Sequence, residues 1–360
     1  MSLLWDWVFA ARRDLRKQGH ARLADILGLL PETVCDDEHT RADALAAEGV
    51  ALATELDLPW IQVYLRHWQL QSRVFHRMEG ESALKACVDL VDFAHRTETQ
   101  GCPQAVCAVQ DLAGCYGFVD GPGFAAERLA VAEEALARID PSWGCFACIS
   151  GEKAGALRSS AGPAAALAFL DAQTATMTLA GKRYPAQDMP DERLEALIEL
   201  GRLPEALAFL DEGDRHGHQD AHHERLRRID RARVLARARR LDEAARSLPG
   251  IDEVEATPLF FVPYADALDL LIRGGQLENT PEVGATLTHF VERLRAQGVL
   301  RHALELAELA GRLALARGAT DDAELHLATM RDLARRLRKP LGALERIAGL
   351  AAEIAGELQR

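Results

Sequence analysis

The hexapeptide ALAFLD is written twice, at residues 166–171 and 206–211, forty residues apart. Sliding the chain against itself turns this pair into a series. A turn-forming residue is followed by acidic or small residues and then by an alanine or glycine anchor. The anchors fall at Ala44, Ala83, Ala126, Ala166, Ala206, Ala244, Gly284 and Ala323, at intervals of 39, 43, 40, 40, 38, 40 and 39 residues. A period this steady marks stacked units, none of which can bury its apolar face without a neighbour.

Within each unit, two stretches carry apolar residues at i, i+3, i+4 and i+7, the period of an amphipathic helix, and alternating β-branched runs are missing. Gly80, Gly121 with Pro122, Gly162 with Pro163, Gly201 with Pro204, and Gly318 stand at the expected boundaries. Pro163 and Pro204 suit the first turn of a helix, where the missing N–H would have had no intrahelical partner. A small anchor lets paired helices approach closely. The expectation is an all-α chain, an α-solenoid wound as a right-handed superhelix of helix-turn-helix repeats with a period of about 40 residues. Typical helix-plus-turn spans give about eighteen helices. Residues 1–35 read as an N-terminal helical hairpin or cap, 36–338 as the repeat solenoid, and 339–360 as a C-terminal capping helix.

Composition narrows the function. The formal net charge of −13 opposes a nucleic-acid backbone, which is bound by neutralising phosphates with Lys and Arg. No run of eighteen uncharged apolar residues occurs, and the start MSLLWDWVFAARRDLRK mixes acids and bases without a signal-peptide pattern, so the reading is cytoplasmic with no membrane partner. Seven cysteines, an odd number, give no disulfide framework. Arginine greatly outnumbers lysine, which occurs only at Lys17, Lys85, Lys153, Lys182 and Lys339, and this points to a GC-rich bacterial genome.

The segment GRLPEALAFLDEG at residues 201–213, with Gly114 and Gly311 twelve residues before their anchors, resembles the tetratricopeptide repeat superfamily. The resemblance covers roughly residues 36–358 and rests on the small-residue spacing; the family's aromatic signature positions are mostly lost and the period is longer than its usual repeat. The longer unit is similar to the sensor domains of bacterial MalT-type regulators and peptide-responsive quorum-sensing receptors, but no segment reads as their DNA-binding domain. The resemblance implies a concave groove lined by the first helix of each unit. Counting back from the anchors by that spacing gives Trp68, Phe75, Asp111, Arg158, Asp191, Glu195, Arg233, Arg237, Asp266, Asp269, Arg273, Glu305, Glu308 and Arg312 as groove candidates. Such a row alternates in sign and suits a charged protein or peptide partner, although charged helix faces are commonly just solvated. Trp60, Tyr64, Trp68 and Phe75 share one helical stretch and Phe260, Phe261 and Tyr264 another; both read as buried stripes, with Trp68 the first anchor candidate if any faces the groove.

Two clusters are compatible with metal or redox chemistry. Cys102, Cys107, Cys115, Cys145 and Cys148 concentrate in two successive first helices, and Cys145 and Cys148 share a helical face. With Cys107 from the neighbouring unit they permit a thiolate metal site or a redox pair, while buried structural cysteine is the plainer reading. His218 and His222 lie four apart in DRHGHQDAHHER and form a weaker metal candidate. No cofactor is expected, and neither nucleophile-elbow, phosphate-loop, zinc-protease nor dinucleotide motifs occur, so catalysis is not expected. The expectation is a scaffold, adaptor or sensor that binds a protein or peptide and is compatible with a homodimer. An immunity- or antitoxin-like inhibitor and a thiol- or metal-dependent sensor built on residues 102–148 are the alternatives.

Overall fold

A computed structural model of the chain describes residues 3–217, 221–255 and 257–358, and every regular element among them is helical. Helix α1 (Leu3–Lys17) leads into a series of pairs: α2 (Ala21–Cys35) with α3 (His39–Glu55), α4 (Pro59–Gln71) with α5 (Glu81–Ala94), and α6 (Ala105–Asp120) with α7 (Ala125–Leu136). The series continues with α8 (Gly144–Ala161) and α9 (Pro163–Leu179), α10 (Pro190–Glu199) and α11 (Leu203–His216), then α12 (Ala221–Arg237) and the short α13 (Leu241–Ser247). A single turn, α14 (Ile251–Val254), precedes α15 (Phe261–Arg273) and α16 (Pro281–Ala296), α17 (Leu300–Ala316) and α18 (Thr320–Arg336), and the last helix α19 (Leu341–Leu358). Prolines open α4, α9, α10 and α16, where the lost N–H has no intrahelical acceptor to miss.

Each anchor lies in the second helix of its pair, but two need a different register. Ala83, Ala166, Ala206, Ala244 and Ala323 are wholly buried, whereas Ala44 and Ala126 are exposed and their places are taken by buried Ala42 and Ala125. With that change the first three intervals become 41, 42 and 41 residues. The stretches around both sites hold several alanines, so composition alone does not say which one faces inward; the phase of the helix does.

Packing follows the pairing. Apart from the single turn α14, consecutive helices touch, and first helices also lie on first helices of adjoining units: α2 on α4, α4 on α6, α6 on α8, α8 on α10, α12 on α15, α15 on α17, and α17 on α19. At the N-terminal end, Trp5 and Trp7 of α1 pack against Trp60, Tyr64 and Trp68 of α4 with ring centroids 5.9–6.4 Å apart. At the other end, Ile347, Leu350 and Ile354 of α19 are buried in the same core as α17 and α18. Among the described residues, no helix is long and apolar enough to cross a membrane.

The late units also fold back onto the early ones. Helix α17 packs on α6. The Gly80 amide donates to the Gln297 carbonyl at 2.8 Å, and the Gln297 side-chain amide donates to the Arg77 carbonyl at 2.7 Å. The two backbones meet so closely that a Cβ on Gly80 would lie 2.3 Å from the Gly298 carbonyl oxygen. Buried Asp120 receives the Arg301 guanidinium at 2.8 Å and the backbone amides of Arg338 and Lys339 at 2.8 and 3.2 Å. Arg336 pairs with Glu81 and Arg338 with Glu127. One hydrophobic cluster accordingly spans Val63 to Val119 and Ile229 to Ile354. A purely stacked array would leave those two groups without contact.

Candidate binding surface on the first helices

One carboxylate per unit recurs on successive first helices: Asp111, Glu152, Glu192, Asp230, Asp269 and Glu308, spaced 41, 40, 38, 39 and 39 residues apart. Glu152, Glu192 and Asp230 were missed by counting back from individual anchors, although the repeat period applied to Asp111 reaches them. One turn further along come Gly114, Gly155, Glu195, Arg233, Arg273 and Arg312. The two glycines make room for neighbours. A Cβ at Gly114 would lie 2.4 Å from the Phe75 ring, and one at Gly155 would lie 2.5 Å from Glu192 Oε1 and 3.0 Å from Arg128 Nη2.

Each acid of the series has an internal partner. Asp111, fully buried, meets His67 at 2.8 Å, and burial raises its carboxyl while His67 opposes the shift. Glu152 accepts from Arg128 at 2.9 Å, and Glu192 from Arg158 at 2.9 Å. Asp230 meets Arg233 at 3.0 Å, Asp269 meets Arg273 at 2.8 Å, and Glu308 meets Arg312 at 3.1 Å and Arg346 at 2.7 Å. Arg233 is the hub: its buried guanidinium also reaches Glu195 at 2.5 Å and Asp266 at 3.0 Å, so it ties three units together, and Arg237 adds a second contact to Asp266 at 2.8 Å. Burial pushes the Glu195 carboxyl up, but Arg233 with Arg158 and Arg237 outweighs it and holds the group below its usual range. Removing one member of such a network would strand a buried charge.

The groove candidates therefore divide. Asp111, Arg233, Asp269 and Glu308 are buried and paired within the chain, Asp269 by Arg273 of its own helix and the others by charges that adjoining first helices supply. Trp68 is half-buried against Trp5, and Phe75 packs on Phe118 at 6.1 Å in a π-helical turn at Ser72–His76. Arg158, Glu195, Arg237, Asp266, Glu305 and Arg312 are partly exposed, and the Arg273 side chain keeps 58% of its surface. Asp191 differs from all of them. It is exposed and, among the described residues, has no ion-pair or hydrogen-bond partner, yet the surrounding protein pushes its carboxyl up to about 7, helped by Asp230, Glu192 and Glu195. Asp191 lines a recess shared with Gln187, Leu194, Phe209 and Asp230. Burial lowers the imidazole of His302 on α17, and the charges of Glu305, Arg158 and Glu195 reach it from units far apart in the chain.

The cysteine cluster is brought together in part. Cys107 Sγ lies 3.2 Å from Cys145 Sγ, both buried, whereas Cys148 is exposed and Cys102 and Cys115 lie in a different core cluster. Among the described residues, no group of three or more His, Cys, Asp and Glu side chains is placed to hold a metal ion. His218 lies outside the described residues, and His222 packs against Phe260 at 4.9 Å. The chain matches no protein-family model and no curated protein.

Proposed function

We propose that this chain is an α-solenoid, a right-handed superhelix of tetratricopeptide-like units, that binds a protein or peptide through the charged face of its first helices. The 38–41-residue recurrence of charged side chains on consecutive first helices supports a surface built for an extended ligand rather than a single small molecule. Asp191 carries the reading. It adjoins Glu192 in a row whose acids are paired internally, and it is accessible with no ion-pair partner among the described residues. A basic side chain of a partner would complete the series, and the accessible Arg273 and Arg312 offer places for acidic groups of the same ligand.

The test compares immobilised wild-type protein with an Asp191→Lys, Arg273→Glu double variant in affinity capture from native cell extract. The expected result is a protein retained by the wild type and lost by the variant, with helical circular dichroism unchanged. Equal capture by both would refute this placement of the surface. Arg233 is unsuitable for the purpose, since its reversal would report on folding.

A further inference from the structure

We propose that Cys107 and Cys145 are an oxidation site, a buried dithiol that a hydroperoxide converts to a disulfide joining α6 to α8. The contact of 3.2 Å between the two sulfurs is a thiol hydrogen bond, and closing it by roughly 1 Å with rotation about the side chains would give a disulfide bond length. The two residues sit on first helices of consecutive units, so the contact joins separate elements and is not a local accident of one turn.

The pair is asymmetric in the way a reactive dithiol requires. Cys145 occupies the first turn of the eighteen-residue helix α8, where unpaired backbone N–H groups favour an anion. The hydrogen bond from Cys107 lowers the Cys145 thiol below its ordinary range; burial opposes this, and His67 adds to it. The same hydrogen bond and burial raise Cys107, which keeps its proton. Cys145 also retains 9% of its surface, at the edge of accessibility, and exposed Cys148 lies one turn further along the same helix. Cys87 and Cys115 provide the internal contrast. They interact with each other as well, but both are wholly buried, the Cys115 thiol donates to the Gly80 carbonyl at 3.3 Å, and Cys87 is raised strongly by its contact with Cys115 and by burial.

The chemistry balances with a hydroperoxide as the oxidant. The Cys145 thiolate attacks the distal peroxide oxygen, the O–O bond breaks, and Cys145 becomes a sulfenic acid while the alkoxide or hydroxide leaves and takes up a proton. Cys107, as thiolate after giving its proton to the departing hydroxyl, attacks the Cys145 sulfur; the S–O bond breaks, the S–S bond forms, and water leaves. The two thiols lose two electrons and the peroxide gains them. The product staples the units that carry Asp111 and Glu152, fixing the spacing of that part of the first-helix row.

Full-length protein, reduced and then freed of reductant, is titrated with hydrogen peroxide and followed by intact mass and by peptide mapping after differential alkylation. The expected outcome is loss of two hydrogen atoms and a peptide pair linking Cys107 to Cys145, both restored by dithiothreitol. In Cys107→Ser the Cys145 sulfenic acid persists and is trapped by dimedone, in Cys145→Ser Cys107 stays alkylatable, and in Cys148→Ser the disulfide forms at the wild-type rate. The proposal is overturned if wild-type Cys107 and Cys145 remain alkylatable while Cys35 or Cys148 is oxidised, or if Cys148→Ser abolishes the link. The wild-type peptide map decides the matter even if a variant fails to fold.

Discussion

Replacing Gly298 by alanine tests whether the late helices are truly latched to the early ones. Gly298 has φ of +72°, a region that costs an L-residue about 1–2 kcal/mol. An added Cβ would also lie 2.7 Å from the Glu81 backbone nitrogen and 2.9 Å from its Cβ, so the two loops must part. That separation weakens the hydrogen bonds from the Gly80 amide to Gln297 and from the Gln297 side chain to Arg77, each worth about 1 kcal/mol. The sum is about 3–4 kcal/mol. Gly318 supplies the control, since its φ is +75° but no atom lies within 4 Å of its would-be Cβ. Gly318→Ala should therefore cost the backbone strain alone, about 1–2 kcal/mol. In a chain this long, each kcal/mol moves the melting temperature by only about 1–1.5 °C. Hydrogen exchange at the Gly80 amide is the sharper readout: a further loss of about 2 kcal/mol there lowers its protection roughly 30-fold in Gly298→Ala relative to Gly318→Ala. Equal protection in the two variants would refute the latch.

Two other outcomes follow from charges already described. Asp120→Ala removes the acceptor shared by Arg301 and the amides of Arg338 and Lys339, leaving the largely shielded Arg301 guanidinium without its carboxylate and with the Lys339 carbonyl as its remaining acceptor, at a cost of up to about 3–5 kcal/mol; trypsin should cut after Arg336 or Arg338 much faster, and an unchanged cleavage rate would count against the contact. The protein packed around Asp191, with Asp230, Glu192 and Glu195, pushes its carboxyl up to about 7 in the folded chain against about 3.9 unfolded, so the folded state binds the extra proton between these values and stability falls as pH rises through that window. Asp191→Asn should raise the melting temperature at pH 8, with the gain shrinking to nothing toward pH 4; an equal gain at both pH values would contradict the shift.

The pairing of helices was legible because it rests on local information: apolar period, turn glycines, N-terminal prolines and a small residue at each anchor. The register at Ala42 and Ala125 was not, since several neighbouring alanines satisfy the same pattern and only three-dimensional phase separates them. The row of charges on the first helices was visible in outline, and its internal pairing was hidden. Whether Asp269 faces Arg273 or a partner depends on rotamers and on the helix beside it, neither of which a spacing rule contains. The sequence set Cys107 beside both Cys145 and Cys148 of the next unit, and which of the two it meets depends on helix phase: the contact is with Cys145. The fold-back was wholly unreadable. Gly80 and Gln297 are separated by more than two hundred residues, and nothing in either stretch names the other.

That long-range latch fixes how many units the chain can hold. An array secured only by adjacent members can gain or lose one through duplication or deletion and still present sound ends. Here the span from Asp120 to Arg301 must arrive back at a particular place, so inserting or excising about forty residues within it would carry Arg301, Arg338 and Lys339 away from the carboxylate they share. Length in this molecule is a geometric constraint, and change is tolerated more readily outside that arc than within it.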